Sequence, residues 1–136
     1  MRLSSIVALA VAAVIAAGCG GAADAPKLNE LQKARSGSVD VVLLSPNNAL
    51  RQGKDDFTLE FRSPYGALVD AGTVRATATM PMPGSPMFAS IDIRSTDTKG
   101  RYAATGDFSM AGTWRLSVEW NGPAGSGSVT FPGAVR

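Results

Sequence analysis

Hydrophobic and polar residues alternate along most of the chain beyond residue 38. Phe57, Leu59 and Phe61 alternate with polar neighbours, and residues 113–120 place two tryptophans, a leucine and a valine on one face. A period of two residues is typical of strands that bury one face. Gly, Pro, Asn or Asp residues interrupt the pattern at most joints. The pattern predicts seven strands, at residues 39–44, 57–62, 74–80, 88–93, 101–108, 113–120 and 126–131.

Seven short strands at this spacing indicate an all-β protein, because no stretch of useful length has the period of a helix. We expect an immunoglobulin-like antiparallel β-sandwich over residues 39–136. We expect its core to contain the aromatic side chains of the second and sixth predicted strands. Burial of these rings should stabilise the fold, since each ring removes a large apolar area from water.

The first 38 residues have a different pattern. Arg2 is followed by an apolar run from Leu3 to Gly18, which has the length of a signal peptide and is too short for a bilayer-spanning helix. Residues 20–38 are mostly small or charged, with few spaced apolar positions. The sequence therefore predicts a signal peptide at residues 1–18, a flexible linker at residues 19–38, and an exported protein.

Composition narrows the chemistry that the chain can perform. Among its 136 residues there is no His and one Cys, which excludes Ser-His-Asp and Cys-His nucleophiles, imidazole zinc sites and an internal disulfide. The formal net charge of +2 is too small to indicate a nucleic-acid partner. We expect a protein that is not an enzyme and has no catalytic residue.

Four methionines suggest the one plausible metal site in this sequence. Met80, Met82 and Met87 are separated by prolines, and Met110 precedes the sixth predicted strand. Thioether sulfur is a soft, neutral ligand that favours Cu(I), so these four residues are candidate Cu(I) ligands. The alternative is packing, in which Met80 continues a core stripe, Met82 and Met87 cover the end of the sandwich, and Met110 fills a gap.

The run Ala-Ala-Gly-Cys at residues 16–19 resembles the lipobox of bacterial lipoproteins. The resemblance implies that the sulfur of Cys19 is diacylated and that Cys19 becomes the first residue after cleavage. Several acyl chains give stable membrane attachment, so we expect a lipoprotein that faces the periplasm or the outer cell surface. The alternative is an ordinary secretory signal with an incidental thiol.

Ordered features between about residues 45 and 131 carry a second resemblance. They include Phe57-Thr58-Leu59, the Met-Pro-Met-Pro run at residues 80–83, and the Phe-Ser-Met-Ala-Gly-Thr-Trp segment at residues 108–114. Together they resemble the YtkA-like family of exported and membrane-anchored bacterial sandwiches, which is related to the FixH family. The resemblance implies envelope work with metal-transport or oxidase-assembly proteins as partners. Because the chain lacks His, a metal site here would contain thioethers alone.

Two functions are consistent with these features. The first is a lipid-anchored envelope protein that binds or delivers Cu(I), or a related heavy metal, through the Met-rich loop. The second is a FixH-like interaction module that supports assembly of a membrane complex without binding metal.

Overall fold

The computed structural model describes residues 27–136, which form eight antiparallel strands and no helix. The all-β prediction is therefore confirmed, and no helix in this part is long and apolar enough to span a bilayer. The order across the sheet is β1-β2-β3-β6-β5-β4-β7-β8. The strands are β1 (Asn29–Ser36), β2 (Val39–Ser45), β3 (Gly53–Arg62), β4 (Thr73–Met80), β5 (Met87–Ser95), β6 (Arg101–Phe108), β7 (Gly112–Gly122) and β8 (Gly125–Val135).

The two halves of this sheet face each other across one core. Phe61 of β3 packs edge-on against Trp120 of β7 with ring centroids 5.3 Å apart, and Phe108 of β6 meets Trp114 of β7 at 5.5 Å. These strand pairs are not neighbours in the sheet, so the contacts require that the sheet folds over. The β4–β5 ladder joins the halves on one side, and β1 lies beside β8 on the other. The predicted sandwich is confirmed.

The predicted core stripes have the predicted orientation. Phe57, Leu59 and Phe61 are buried on β3, while the alternating apolar residues from Trp114 to Trp120 are buried on β7. Burial of apolar side chains contributes about 25 cal/mol per Å² of area removed from water, so these two stripes supply much of the stabilisation of the fold.

The segment predicted to be a flexible linker contains a strand. β1 pairs with β2 from Asn29 opposite Ser45 to the turn at residues 37–38, and Leu31 and Ala34 pack against the core. A bulge between Glu30 and Gln32 breaks the period of two residues. The linker prediction is therefore wrong for residues 29–36, and the described residues have one strand more than the seven predicted.

Two buried carboxylates bind the outer faces of neighbouring strands together. Asp40 on β2 accepts a hydrogen bond of 2.6 Å from Arg35 on β1, and this bond lowers the pKa of Asp40. Glu60 on β3 accepts hydrogen bonds from Arg62 and from Arg101 on β6. Burial opposes ionisation of Glu60, but the two guanidinium groups outweigh it, so the pKa of Glu60 lies below its usual value.

Because neighbouring strands are antiparallel, the connections gather at two ends of the sandwich. One end, which we call the Met end, has the loops at residues 46–52, 81–86 and 109–111, together with the start of β1. The opposite end, which we call the far end, has the connections at residues 37–38, 63–72, 96–100 and 123–124.

Candidate metal site

Met80 and Met87 lie directly opposite each other where the β4–β5 hairpin opens into its loop. Met80 is the last residue of β4 and pairs in register with Met87, the first residue of β5. Both share the inner face with the buried residues Ala78 and Ala89, and both are partly buried against the core. The proline-rich loop at residues 81–86 therefore returns Met87 to the side of Met80.

The β6–β7 loop lies across this methionine pair. The Ser109 hydroxyl is 4.0 Å from the sulfur of Met87, at one side of the loop. At the other side, a Cβ atom on Gly112 would come within 2.0 Å of Met80 Cε. Met110 belongs to the same short loop, so the segment that contains Met110 lies beside the Met80–Met87 pair.

Hydrogen bonds hold the backbone of the β6–β7 loop. The Trp114 indole N–H donates to the Met110 carbonyl at 3.0 Å, and the Gln52 side-chain amide donates to the Ser109 carbonyl at 3.1 Å. Trp114 is fully buried and its ring packs against Phe108. The loop is therefore positioned by a core residue.

Sequence reasoning missed the parts that Trp114 and Gly112 play in this site. Alternation assigned the Trp114 ring to the core correctly, but the same pattern carries no information about the indole N–H. The role of Gly112 depends on its approach to a methionine 32 positions earlier in the chain, and a single glycine beside a strand is not a signal for such an approach.

The remaining methionines are more exposed. Met82, in the β4–β5 loop, is 40% exposed, and Met110 is 36% exposed. The packing alternative describes Met80 correctly, because it continues the inner face of β4 after Ala76 and Ala78. Met82 and Met110 do not belong to the core cluster. Cys19 lies outside the residues that the structure describes.

The sequence segments that contain the four methionines carry no charged residue. No charged residue occurs between Arg75 and Asp92, or between Asp107 and Arg115. Across residues 27–136, no group of three or more His, Cys, Asp or Glu side chains is placed to hold a metal ion. A neutral thioether set suits a soft monovalent ion such as Cu(I) and does not suit zinc, calcium or magnesium.

Two solved structures are similar to this chain at low sequence identity. The filamin domain of Lin-41 matches with a TM-score of 0.50 at 16% identity, over 77% of this chain and 98% of that domain. The as-isolated FetP of uropathogenic E. coli strain F11 matches with a TM-score of 0.48 at 8% identity, over 79% of this chain and 95% of that protein. At 16% identity, the filamin domain shows the immunoglobulin-like fold alone.

Sequence comparison is more specific. No curated protein matches the chain. The family described as YtkA-like matches residues 33–119, which is more than half of the chain and includes the methionine pair and the β6–β7 loop. This chain belongs to the YtkA-like family.

Proposed function

We propose that this protein is a non-enzymatic, lipid-anchored protein of the cell envelope that binds Cu(I) at the Met end. It would buffer the ion or pass it to a metal-transport or oxidase-assembly protein. The observation that carries the proposal is the direct pairing of Met80 with Met87 beneath the loop that contains Met110. Membership of the YtkA-like family supports envelope work in general.

The arrangement has the physical properties that a Cu(I) site needs. Its candidate donors are neutral, so they do not offset the charge of a bound ion, and the ion would be partly removed from water. The cost of desolvation rises steeply with ionic charge, which favours a monovalent ion over a divalent one. The loop prolines and the Trp114 hydrogen bond reduce the conformational entropy lost when the side chains converge on a metal.

A competition experiment tests the copper part of the proposal. Purified full chain in detergent is titrated with Cu(I) against a chromogenic chelator without oxygen, beside variants in which one methionine is changed to Leu. Met→Leu removes the sulfur and keeps the volume. We expect Met80→Leu and Met87→Leu to lower the affinity at least tenfold, with smaller losses for Met82→Leu and Met110→Leu.

Ile91→Leu is the matched control, because it changes the shape of a buried side chain on the inner face of β5 without removing sulfur. Its Cu(I) affinity should equal that of the original chain. The copper proposal is wrong if the original chain does not compete with the chelator, or if all four Met→Leu variants bind as it does.

The lipid anchor requires a separate measurement. Protein purified from membranes should show a mass equal to residues 19–136 plus acyl chains, and Cys19→Ala should leave the chain without that added mass. An unmodified thiol at Cys19 in membrane-purified protein would contradict the anchor.

A second candidate function is supported by a feature of the far end. Tyr65 is 97% exposed at the tip of a turn that is closed by a hydrogen bond of 2.9 Å from the Gly66 amide to the Ser63 carbonyl. An exposed aromatic side chain on an ordered turn is typical of protein interfaces. If a membrane pull-down recovers a partner that Tyr65→Ser loses and the Met→Leu variants retain, the metal-free interaction module is favoured.

A further inference from the structure

We infer that the Met end is a membrane-contacting surface, and that the β4–β5 loop with Met82 and Phe88 rests on the lipid layer that holds the acyl chains. The inference rests on the lipid anchor of the proposed function and does not depend on copper binding. It assigns a lipid surface, and not a soluble protein, as the occupant of this end of the sandwich.

The strand topology places the start of β1 at the Met end. β1 begins at Asn29, which pairs with Ser45 at the end of β2, so the described chain enters the sandwich at the Met end. The eight residue steps from Cys19 to Lys27 span at most about 28 Å, at ~3.5 Å per residue. β1 has eight residues and spans about 26 Å. If the far end faced the bilayer, the chain between Cys19 and Lys27 would therefore have to be almost fully extended alongside β1.

The β4–β5 loop and the start of β5 expose apolar side chains. Phe88 is 73% exposed on the outer face of β5, and Met82 is 40% exposed in the adjoining loop. The prolines at positions 81, 83 and 86 are also exposed, and residues 76–91 contain no charge. Transfer of an uncharged apolar loop from water into the lipid interface is favourable, whereas transfer of a charged side chain is strongly unfavourable.

The far end also exposes an aromatic side chain, Tyr65, but its loops differ from the β4–β5 loop in charge. Its loops contain the charged residues Asp70, Asp97 and Lys99, and Arg101 adjoins them. Insertion of these groups into a lipid interface would require desolvation of each charge. Arg51 and Arg136 also lie at the Met end, so the contrast is between the uncharged β4–β5 loop and the charged loops of the far end. This contrast predicts an orientation in which the β4–β5 loop lies next to the membrane.

Fluorescent labels at the two ends test the orientation. Acylated full chain is prepared as Ser85→Cys, in the β4–β5 loop, and as Thr98→Cys, in a far-end loop; both positions are exposed. Because acylation consumes the Cys19 thiol, a polarity-sensitive label attaches to the introduced cysteine alone. In phosphatidylcholine vesicles that contain nitroxide-labelled lipid, we expect severalfold stronger quenching at position 85 than at position 98.

A second variant isolates the apolar tip. Phe88→Asp in the Ser85→Cys chain should reduce the quenching at position 85 towards the value at position 98, because it places a charge in the contact surface. Phe88 is mostly exposed, so the fold should tolerate the change. Equal quenching at the two positions in acylated chain would overturn the inference. Energy transfer between labelled copies in that case would assign the tip to a second copy of the chain.

The measurements separate this inference from the proposed function. A mass spectrum without acyl chains would overturn both the anchor and the membrane contact. Strong quenching at position 85 in a chain that fails to bind Cu(I) would support the membrane contact and overturn the copper proposal alone.

Discussion

The terminal methyl group of Met80 occupies the space that a side chain on Gly112 would need. A Cβ atom at Gly112 would lie 2.0 Å from Met80 Cε and 3.8 Å from its sulfur. Gly112 also has a φ of 145°, a backbone conformation that side-chain-bearing residues rarely adopt. The start of β7 therefore allows the β6–β7 loop to approach the methionine pair closely.

Gly112→Ala should displace the Met80 side chain. The obstructing atom is the far end of a flexible side chain, so the methionine moves before the backbone does. We expect a loss of about 1–3 kcal/mol in the free energy of unfolding from backbone strain, and a lower Cu(I) affinity.

Gly125→Ala is the control for this prediction, because Gly125 also has a positive φ, of 97°, but a Cβ there would meet no atom within 4 Å. Denaturant unfolding and Cu(I) competition measure the two effects. An unchanged Cu(I) affinity in Gly112→Ala would show that the position of Met80 does not matter for the metal.

Trp114→Phe should loosen the β6–β7 loop. The change removes the indole N–H that donates to the Met110 carbonyl and retains an aromatic ring in the core. A hydrogen bond of this kind contributes about 0.5–1.5 kcal/mol, and the smaller ring adds a packing loss. Amide hydrogen exchange at residues 109–112 should accelerate.

Trp120→Phe makes a comparable change at the other end of β7, where the ring packs against Phe61. It should reduce stability and leave exchange in the β6–β7 loop unchanged. If both variants accelerate exchange at residues 109–112 equally, the Trp114 hydrogen bond does not hold the loop.

Glu60→Gln should make the protein less stable near neutral pH, and the difference from the original chain should shrink in acid. The pKa of Glu60 is lower in the fold than the unfolded value of 4.5. Its ionised form therefore stabilises the fold above pH 4.5, and this stabilisation is lost as the pH falls through the lower folded pKa.

Replacement of a buried, hydrogen-bonded carboxylate should cost about 1–3 kcal/mol at pH 7. Urea unfolding of both proteins between pH 7 and pH 3 checks the prediction. A stability difference that stays constant over this range would show that the ionisation of Glu60 is not coupled to folding.

Tyr102→Phe tests the link between β6 and the connection before β4. The Tyr102 hydroxyl donates a hydrogen bond of 2.9 Å to the Gly72 carbonyl, and its loss should cost about 0.5–1.5 kcal/mol. Burial, together with the Asp70 carboxylate, raises the pKa of Tyr102 above its usual value of 10.0.

Because the folded pKa is the higher one, the neutral phenol stabilises the fold fully below pH 10, and this contribution is lost as the pH rises through the folded pKa. Thermal unfolding between pH 8 and pH 11 should show an alkaline decline in the original chain that is smaller in Tyr102→Phe. Parallel declines would exclude Tyr102 as the titrating group.

Alternation of apolar and polar residues, together with the β-branched run at residues 39–44, was sufficient to predict seven strands, and it identified the inward faces of β3 and β7. Alternation works where a strand has one buried face, as in β7, because the periodicity of the sequence then equals the periodicity of the backbone; it does not describe β2, whose residues are all buried. It failed for β1, where a bulge interrupts the alternation and only Leu31 and Ala34 reach the core. An edge strand with few buried residues has only a weak hydrophobic pattern in its sequence.

For the candidate site, the residue types could be read from the sequence: four thioethers in segments without charge, which favour a soft ion. The sequence did not indicate that Met80 and Met87 pair, that the Met110 loop crosses them, or that Met82 is exposed; these features come from the folded chain. They involve residues that are distant along the chain. A pattern of neighbouring residues reports which face of a strand is buried, whereas contacts between β4, β5 and the β6–β7 loop depend on how the whole sheet folds over.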